Sequence, residues 1–280
     1  MLADYREAGR IALKVKDEAI KTVEAGVGLL ETAEYAEELT RQMGGEAAFP
    51  CNISINEIAS HYTPLRGIRK FAVRDLVKID VGVHVDGYIA DTAATVEVET
   101  HYQSVLIEAA QKALDAAINE IRADVTTKHL GTVMEQTITA NGCRPVPDLT
   151  GHGIGRYTIH NGMNIPNHGG AAYSNTIHVG DVIAVEPFTT KGSGQIKHGE
   201  TRIVCLMHNK KTTHPIFQDV MSQFNTLPFT SRWMQNPDDL TKMRVFLRKY
   251  PMLIEKDGCP VAQAEHTIIV KEDGCEVITA

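Results

Sequence analysis

Five residues that lie far apart in the sequence have the side-chain types of a shared metal site: Asp80, Asp91, His152, Glu186 and Glu265. Four carboxylates and one imidazole are mostly hard oxygen ligands, which suit Mn, Fe, Co or Zn ions in water-activating chemistry. Two such ions held close together need carboxylates that bridge them, and the pair generates a hydroxide that can attack a carbonyl carbon. This set of residues therefore predicts a metallohydrolase.

A β-hairpin is predicted around the first two carboxylates. Apolar and polar residues alternate over residues 77–85, which predicts a half-buried strand, and Asp86-Gly87 is a favoured two-residue turn. With this turn, Asp80 and Asp91 become diagonal neighbours on one face of the sheet, about 7–8 Å apart. Judged from the hairpin alone, two solvated aspartates are an equally good interpretation.

The other three ligand candidates lie beside glycines or in apolar strands. His152 lies in the string GHGIG, where glycine allows a close backbone approach or a positive φ, and we expect a tight turn there. Glu186 ends an apolar strand, and Glu265 lies within a strand predicted over residues 261–270. A carboxylate in such a strand is costly unless it is paired or metal-bound. Buried ion pairs and a surface histidine are the alternatives, but the five residues together favour a metal site.

Two further histidines are candidates for the chemistry beside the ions. His61 lies in the string NEIASHYTP, and His160 follows His152 by eight residues. Neutral imidazoles near a metal pair transfer protons or bind the substrate amide. The alternative for each is a structural histidine.

The elements that must position these residues follow a repeated order. Helical periodicity predicts helices over residues 3–25 and 28–43, followed by strands to Val98, and then helices over 105–121 and 126–140, followed by more strands. The chain thus reads as two similar halves of an α+β fold, although the identity between them is too low to prove duplication. A site between the halves would take two ligands from the first and three from the second.

The segment 203–250 departs from this order. It contains the only tryptophan, and helices are predicted over residues 215–224 and 238–249. We therefore predict a catalytic domain formed by residues 1–202 and 251–280, with residues 203–250 as a small helical insertion.

Composition limits the classes of protein. The chain has 280 residues, 43% hydrophobic and 22% charged, as in an ordinary globular protein. Its net charge of −7 argues against a broad nucleic-acid-binding surface. The five cysteines show no CxxC spacing, which argues against a disulfide framework or a structural zinc site. The sequence lacks an apolar membrane-spanning run and a signal-peptide pattern, so we predict a cytoplasmic protein.

With these motifs, the chain resembles the type II methionine aminopeptidases. The resemblance rests on the strings NEIASHYTP, GHGIGRYTIH, VIAVEP and AQAEHT, and it extends from about Arg10 to Val270. The spacing of His152 and His160, and the 79 residues that separate Glu186 from the last ligand, resemble type II rather than type I. The resemblance implies the pseudo-symmetric pita-bread fold with a helical insertion, in a short archaeal form without a long charged N-terminal extension.

The resemblance also implies a role for each ligand candidate. Asp80 is expected to chelate one ion, and His152 and Glu186 to complete the ligands of the other. Asp91 and Glu265 are expected to bridge both. The cofactor would be two divalent ions, of Co, Mn, Fe or Zn.

The remaining implied roles concern the substrate. His61 is expected to contact the scissile amide nitrogen and to help protonate the leaving amine. His160 is expected to stabilise the charge that develops on the carbonyl oxygen. Phe49 and Ile159 are expected to form walls of the methionine pocket.

The implied activity is removal of the N-terminal methionine from nascent polypeptides, with a preference for small second residues. A monomer that binds neither membranes nor a specific nucleic acid is expected, and contact with the ribosome is left open. Two other classes of protein share part of this pattern. Prolidases share the fold and the metal site, but the strings DTAAT and AEHT match the aminopeptidases. Non-catalytic relatives that bind protein or RNA lose metal ligands, whereas this chain keeps all five.

Overall fold

The computed structural model describes residues 1–207 and 212–280. The helices are α1 (Leu2–Lys21), α2 (Leu29–Gln42), α3 (Ser104–Glu120), α4 (Thr127–Ala140), α5 (Pro215–Phe224) and α6 (Asp239–Met243), with short 3-10 helices at Ser231–Trp233 and Arg244–Phe246. The strands before α3 are β1 (Glu46–Ala47), β2 (Asn52–Ile55), β3 (Ile58–Ser60), β4 (Leu76–Val85) and β5 (Tyr88–Glu97). Between α4 and α5 lie β6 (Arg144–Pro145), β7 (Thr150–Gly153), β8 (Asn164–Pro166), β9 (Val182–Val185), β10 (Phe188–Thr190) and β11 (Ile196–Leu206). The last strands are β12 (Phe229–Thr230), β13 (Leu247–Glu255), β14 (Val261–Gln263), β15 (His266–Lys271) and β16 (Gly274–Val277). None of the helices in the described ranges combines the length and the apolar character that a membrane span needs.

Each pair of long helices covers a sheet of its own half. The apolar residues of α1 recur at helical spacing, so that Ile11, Val15 and Ala19 are fully buried against β4 and β5. In the second half, α4 packs on β8 and α3 on β10 and β14, with Leu114 and Leu130 buried between them. The helix–helix–strands order of both halves is therefore confirmed, and so is the α+β class.

The pairing of β4 with β5 shows how accurately local sequence sets a hairpin. Asp80 lies opposite Ala93, and Asp91 lies opposite Gly82, as the two-residue turn requires. Asp86 and Gly87 have φ values of 55° and 83°, the conformation of a type I′ turn. The predicted register is confirmed, and both aspartates lie on one face.

The prediction that this strand is half-buried is wrong. Every residue of β4 from Leu76 to His84 is buried, because α1 covers one face and the second half of the chain covers the other. Lys78 is fully buried there, and its Nζ donates to the carbonyl oxygens of Val261 (2.7 Å) and Asn56 (3.1 Å). The polar face of β4 is therefore a contact between the halves, not a solvated surface.

A row of hydrogen bonds joins the two halves along β5. The hydroxyl of Thr267 donates to the carbonyl oxygen of Asp91 and accepts from its N–H, both at 2.7 Å. The backbone N–H of Glu265 donates to the carbonyl oxygen of Ala93 at 3.0 Å. The same contacts that hold the halves together thus fix the backbones of two predicted metal ligands.

The segment 203–250 is only partly helical. Helix α5 has the predicted bounds, but the helix predicted over residues 238–249 ends at Phe246, and β13 begins at Leu247. Pro251 disfavours a helical conformation in the residue before it, and β13 instead pairs with β11 and β3. Residues 208–211 of the segment lie outside the described residues. The division into a catalytic domain and an insertion stays a prediction.

Candidate metal centre

One cavity between the halves collects every residue that the sequence singled out. Its lining includes the five ligand candidates, the two histidines and the two pocket candidates: Asp80, Asp91, His152, Glu186, Glu265, His61, His160, Phe49 and Ile159. Five more residues line it that sequence reasoning did not name: Asn52, Ser60, Ile203, Pro228 and Tyr250. The cavity therefore brings together side chains that lie up to about 200 residues apart.

The first two ligand candidates project from the β4–β5 hairpin, and the other three come from adjacent strands of the second half. His152 lies in β7 opposite Ala184 of β9, and Glu186 follows the last residue of β9. Glu265 lies between β14 and β15, where the strand predicted as continuous is interrupted. At the interruption, the N–H of Glu265 donates to the carbonyl oxygen of Ala93 in β5.

The expected tight turn at His152 is not observed, since this residue lies within a strand. Its flanking glycines are needed for close approach rather than for positive φ. A Cβ at Gly151 would collide with the carbonyl oxygen of Ala184, and one at Gly153 would collide with the side chain of Asn161. His152 is thereby held tightly between β8 and β9.

The side chains converge closely. Ligand atoms of Asp91, His152 and Glu265 all lie within 4.8 Å of one another. The Nε2 of His152 is 3.5 Å from Oδ2 of Asp91 and 3.6 Å from Oε1 of Glu186. Asp80, Asp91, His152 and Glu265 are buried, and Glu186 is nearly so. These distances leave room for cations between the carboxylates.

The charges of the group fit bound cations. Burial raises the pKa values of Asp80, Glu186 and Glu265 well above their usual range, and the neighbouring carboxylates raise them further. Burial likewise raises the pKa of Asp91 to about 7. Buried oxygens Oδ1 of Asp80 and of Asp91 have no hydrogen-bond partner among the described residues. Four clustered carboxylates with orphaned oxygens cannot all ionise alone, so the donor set fits divalent metal ions.

Two amide side chains hold these carboxylates in place. Nε2 of Gln263 donates to Oε2 of Glu186 and to Oε2 of Glu265, both at 3.2 Å. Nδ2 of Asn52 donates to Oδ2 of Asp80 at 3.0 Å. Sequence reasoning missed both amides. For Gln263 a signal existed, since it precedes Glu265 by two residues at the end of an apolar strand, whereas Asn52 is found only through its pairing with Asp80.

The two additional histidines lie at the edge of the same cavity. His61 has a positive φ of 63°, which is unusual for a non-glycine residue, and its Nδ1 is 3.2 Å from the carbonyl oxygen of Pro251. The ring of His160 lies 4.4 Å from that of His152. Burial lowers the pKa of His61 to about 4 and that of His160 well below its usual value. Both rings are therefore neutral near pH 7.

An apolar wall adjoins the polar cluster. Phe49 and Ile159 are buried, with exposed fractions of 7% and 6%. The Phe49 ring packs directly on Gly82, where a Cβ would collide with it. Ile203 and Pro228 extend the wall from the segment predicted as an insertion. The cavity thus combines a polar, cation-binding end with an apolar end.

Comparisons with known proteins agree with this chemistry. The profile of metallopeptidase family M24 matches residues 3–272. The chain is 41% identical to a methionine aminopeptidase of Methanocaldococcus jannaschii, over 98% of this chain and 96% of that protein. It is 40% identical to a methionine aminopeptidase of Pyrococcus horikoshii, over 98% of this chain and 97% of that protein.

Solved structures share the fold at low sequence identity. A thermophilic Arx1 superposes with a TM-score of 0.88 at 20% identity, over 99% of this chain and 90% of its own. A methionine aminopeptidase of Thermotoga maritima gives a TM-score of 0.77 at 21% identity, over 100% of this chain and 97% of its own. A prolidase of Pyrococcus furiosus gives a TM-score of 0.67 at 19% identity, over 100% of this chain and 63% of its own. The predicted pita-bread architecture is confirmed by these neighbours.

Proposed function

The chain belongs to metallopeptidase family M24, and from this membership we propose that it is a type II methionine aminopeptidase that hydrolyses the N-terminal methionine from nascent polypeptides. The observation that carries the proposal is the single cavity that holds five ligand-type side chains, two neutral histidines and an apolar wall. Relatives of that name, about 40% identical over nearly the whole chain, support the activity. A preference for small second residues is part of the proposal.

The metal site is proposed to take two divalent ions, of Co, Mn, Fe or Zn. Asp80 would hold one ion, His152 and Glu186 the other, and Asp91 and Glu265 would lie between them. Bound ions of this kind polarise a carbonyl group and lower the pKa of water. The chain's own contribution is to keep the five ligands preorganised. Asn52 holds one oxygen of Asp80, and Gln263 holds one oxygen each of Glu186 and Glu265.

The substrate is proposed to lie between the two histidines and the apolar wall. His61 would contact the nitrogen of the scissile amide, and His160 would stabilise the developing charge on its carbonyl oxygen. Phe49 and Ile159 would pack on the methionine side chain, whose flexible thioether suits an apolar pocket. Asp80, Asp91, His152 and Glu265 are buried from bulk water, which strengthens the polar contacts at that end of the cavity.

The type II assignment rests on two sequence features. The histidines at positions 152 and 160 are eight residues apart, and a segment of mixed helices and strands separates Glu186 from Glu265. The proposed partner is the N-terminal methionine of a nascent polypeptide. A monomeric state and a cytoplasmic location stay predictions, and contact with the ribosome stays open.

A prolidase activity is the second candidate, because a prolidase shares the fold. The test is hydrolysis of Met-Ala-Ser and of the dipeptide Ala-Pro by metal-stripped protein, to which Mn, Co, Fe or Zn is added singly. We expect methionine release from Met-Ala-Ser and no cleavage of Ala-Pro. Cleavage of Ala-Pro without methionine release would replace the proposal with a prolidase-like specificity.

A further inference from the structure

Strand β13 contacts both of the histidines that the proposed function places beside the substrate. The ring of Tyr250 meets the His61 ring edge-on at 5.4 Å and stacks on the His160 ring at 5.6 Å. The next residue, Pro251, offers its carbonyl oxygen to His61. Two consecutive residues of one strand therefore touch two side chains that lie 99 positions apart in the sequence.

The contact to Pro251 determines which nitrogen of His61 carries the proton. In a neutral imidazole, one ring nitrogen donates a hydrogen bond and the other accepts one. A carbonyl oxygen can only accept, so Nδ1 of His61, at 3.2 Å from the oxygen of Pro251, must be the donor. The Nε2 of His61 is consequently an acceptor.

The hydroxyl of Tyr250 is the polar group that faces Nδ1 of His160. Within the described residues, two polar side-chain atoms lie within hydrogen-bond distance of this hydroxyl oxygen: Nδ1 of His160 at 3.3 Å and Sγ of Cys205 at 3.9 Å. The thiol donates to the phenol oxygen, and ring nitrogen is the stronger acceptor of the two. A phenol that donates to Nδ1 of His160 leaves the proton of the ring on Nε2.

We propose that Tyr250, with Cys205 behind it, is a positioning residue that holds His160 in the Nε2–H tautomer, opposite to the tautomer that Pro251 imposes on His61. One histidine then presents a donor and the other an acceptor. This pair matches the two halves of a peptide amide, whose carbonyl oxygen accepts and whose N–H donates. The inference rests on the proposed function, since it specifies how that site recognises the scissile bond.

The test is the tautomeric state of the two rings in Tyr250→Phe, which keeps the aromatic ring and removes the hydroxyl. Protein labelled with ¹⁵N-histidine is measured by two-bond ¹H–¹⁵N NMR correlation, both metal-stripped and loaded with diamagnetic Zn. We expect Nε2–H for His160 and Nδ1–H for His61 in the unmodified protein. In the variant, His160 should gain the Nδ1–H form while His61 is unchanged, and kcat should fall about tenfold, the effect of one lost hydrogen bond, with KM kept.

Tyr62→Phe is the matched control, because Tyr62 is as buried as Tyr250 (9% and 7% exposed) but does not line the cavity. It should leave the His160 tautomer and kcat unchanged. Cys205→Ala, which keeps the phenol, should shift the His160 tautomer less than Tyr250→Phe does.

Two results would overturn the inference: an Nδ1–H tautomer of His160 in the unmodified protein, or an unchanged tautomer in a folded Tyr250→Phe variant. The first needs no variant, so the inference stays testable even if Tyr250→Phe does not fold. Failure of the proposed function would look different, because the unmodified protein would release no methionine whatever its histidine tautomers are.

Discussion

At the scale of single residues, the central feature is a group of carboxylates that the protein alone does not neutralise. The backbones of Asp91 and Glu265 form hydrogen bonds between the two halves, and each side chain is almost fully buried. An ionised carboxylate in such surroundings is costly unless a cation accompanies it. The group is therefore suited to bound ions, and substitutions of these carboxylates should first weaken metal binding.

Removing a bridging candidate should release metal. We expect Asp91→Ala and Glu265→Ala each to weaken metal binding by at least about a hundredfold and to abolish methionine release, because each variant loses a carboxylate that is proposed to bind both ions. Isothermal titration of Mn into stripped protein measures the affinity. Asp115→Ala, at an exposed aspartate of α3, is the control and should bind metal normally. Full metal affinity in Asp91→Ala would show that the ions bind elsewhere.

Metal affinity should rise with pH. Burial raises the pKa of Asp91 to about 7 in the metal-free protein, and it raises the pKa values of the other three carboxylates well above their usual range. An ion must displace these protons, so the apparent affinity is weakened below about pH 7 and grows as the pH rises. Calorimetric titrations in buffers of different ionisation enthalpy would measure the protons released. An affinity that is constant between pH 5 and pH 8 would contradict this expectation.

At the scale of elements, the hairpin β4–β5 places two ligands and one wall of the pocket. Gly82 lies opposite Asp91, and its missing side chain makes room for the ring of Phe49. Packing at this point links the metal-binding face of the strand to the apolar end of the cavity.

Gly82→Ala should damage the pocket more than the fold. The added Cβ would push the Phe49 ring aside, at a cost of about 1–3 kcal/mol in the free energy of unfolding, and KM for methionyl peptides should rise. Urea denaturation and steady-state kinetics measure the two effects. Gly274→Ala is the matched control, since no atom lies within 4 Å of a Cβ built there. An unchanged KM in a folded Gly82→Ala variant would contradict the proposal that Phe49 forms a wall of the methionine pocket.

The elements also show how far sequence reasoning reaches. The hairpin register and the bounds of α5 were predictable, because turn chemistry and helical periodicity act over a few residues. The first three residues of β13, 247–249, were wrongly predicted as helical, because the pairing of this strand with β11 and β3 is a long-range contact. For the same reason Tyr250 was missed, since its neighbours in the cavity, His61 and His160, lie far from it in the sequence.

At the scale of the whole molecule, an ion pair ties the segment 203–250 to the first half. Glu37 of α2 accepts hydrogen bonds from the Arg232 guanidinium, from Nε1 of Trp233 at 2.8 Å and from the N–H of Cys51 at 3.0 Å. Its side chain is only 4% exposed. Cys51 directly precedes Asn52, which donates a hydrogen bond to the ligand candidate Asp80. The ion pair is therefore linked through Cys51 to the residue that holds this carboxylate.

Breaking the ion pair from one side should be strongly destabilising. Arg232→Met would leave the Glu37 carboxylate buried without its main partner, which costs about 3–5 kcal/mol in the free energy of unfolding. Urea denaturation measures the loss. Arg41→Met is the matched control, because Arg41 pairs with Glu38 at the surface, and it should cost less than about 1 kcal/mol. Equal losses in the two variants would show that the buried pair adds nothing beyond a surface pair.

Under the proposed function, methionine release follows occupancy of the metal site. The most direct measurement is therefore methionine release from Met-Ala-Ser by EDTA-stripped protein during stepwise addition of Mn, Co, Fe or Zn, with bound ions counted at each step. We predict no release without metal, and release that rises with the ions bound until two are held per chain. Full release from metal-free protein, or bound metal without any release, would contradict the account.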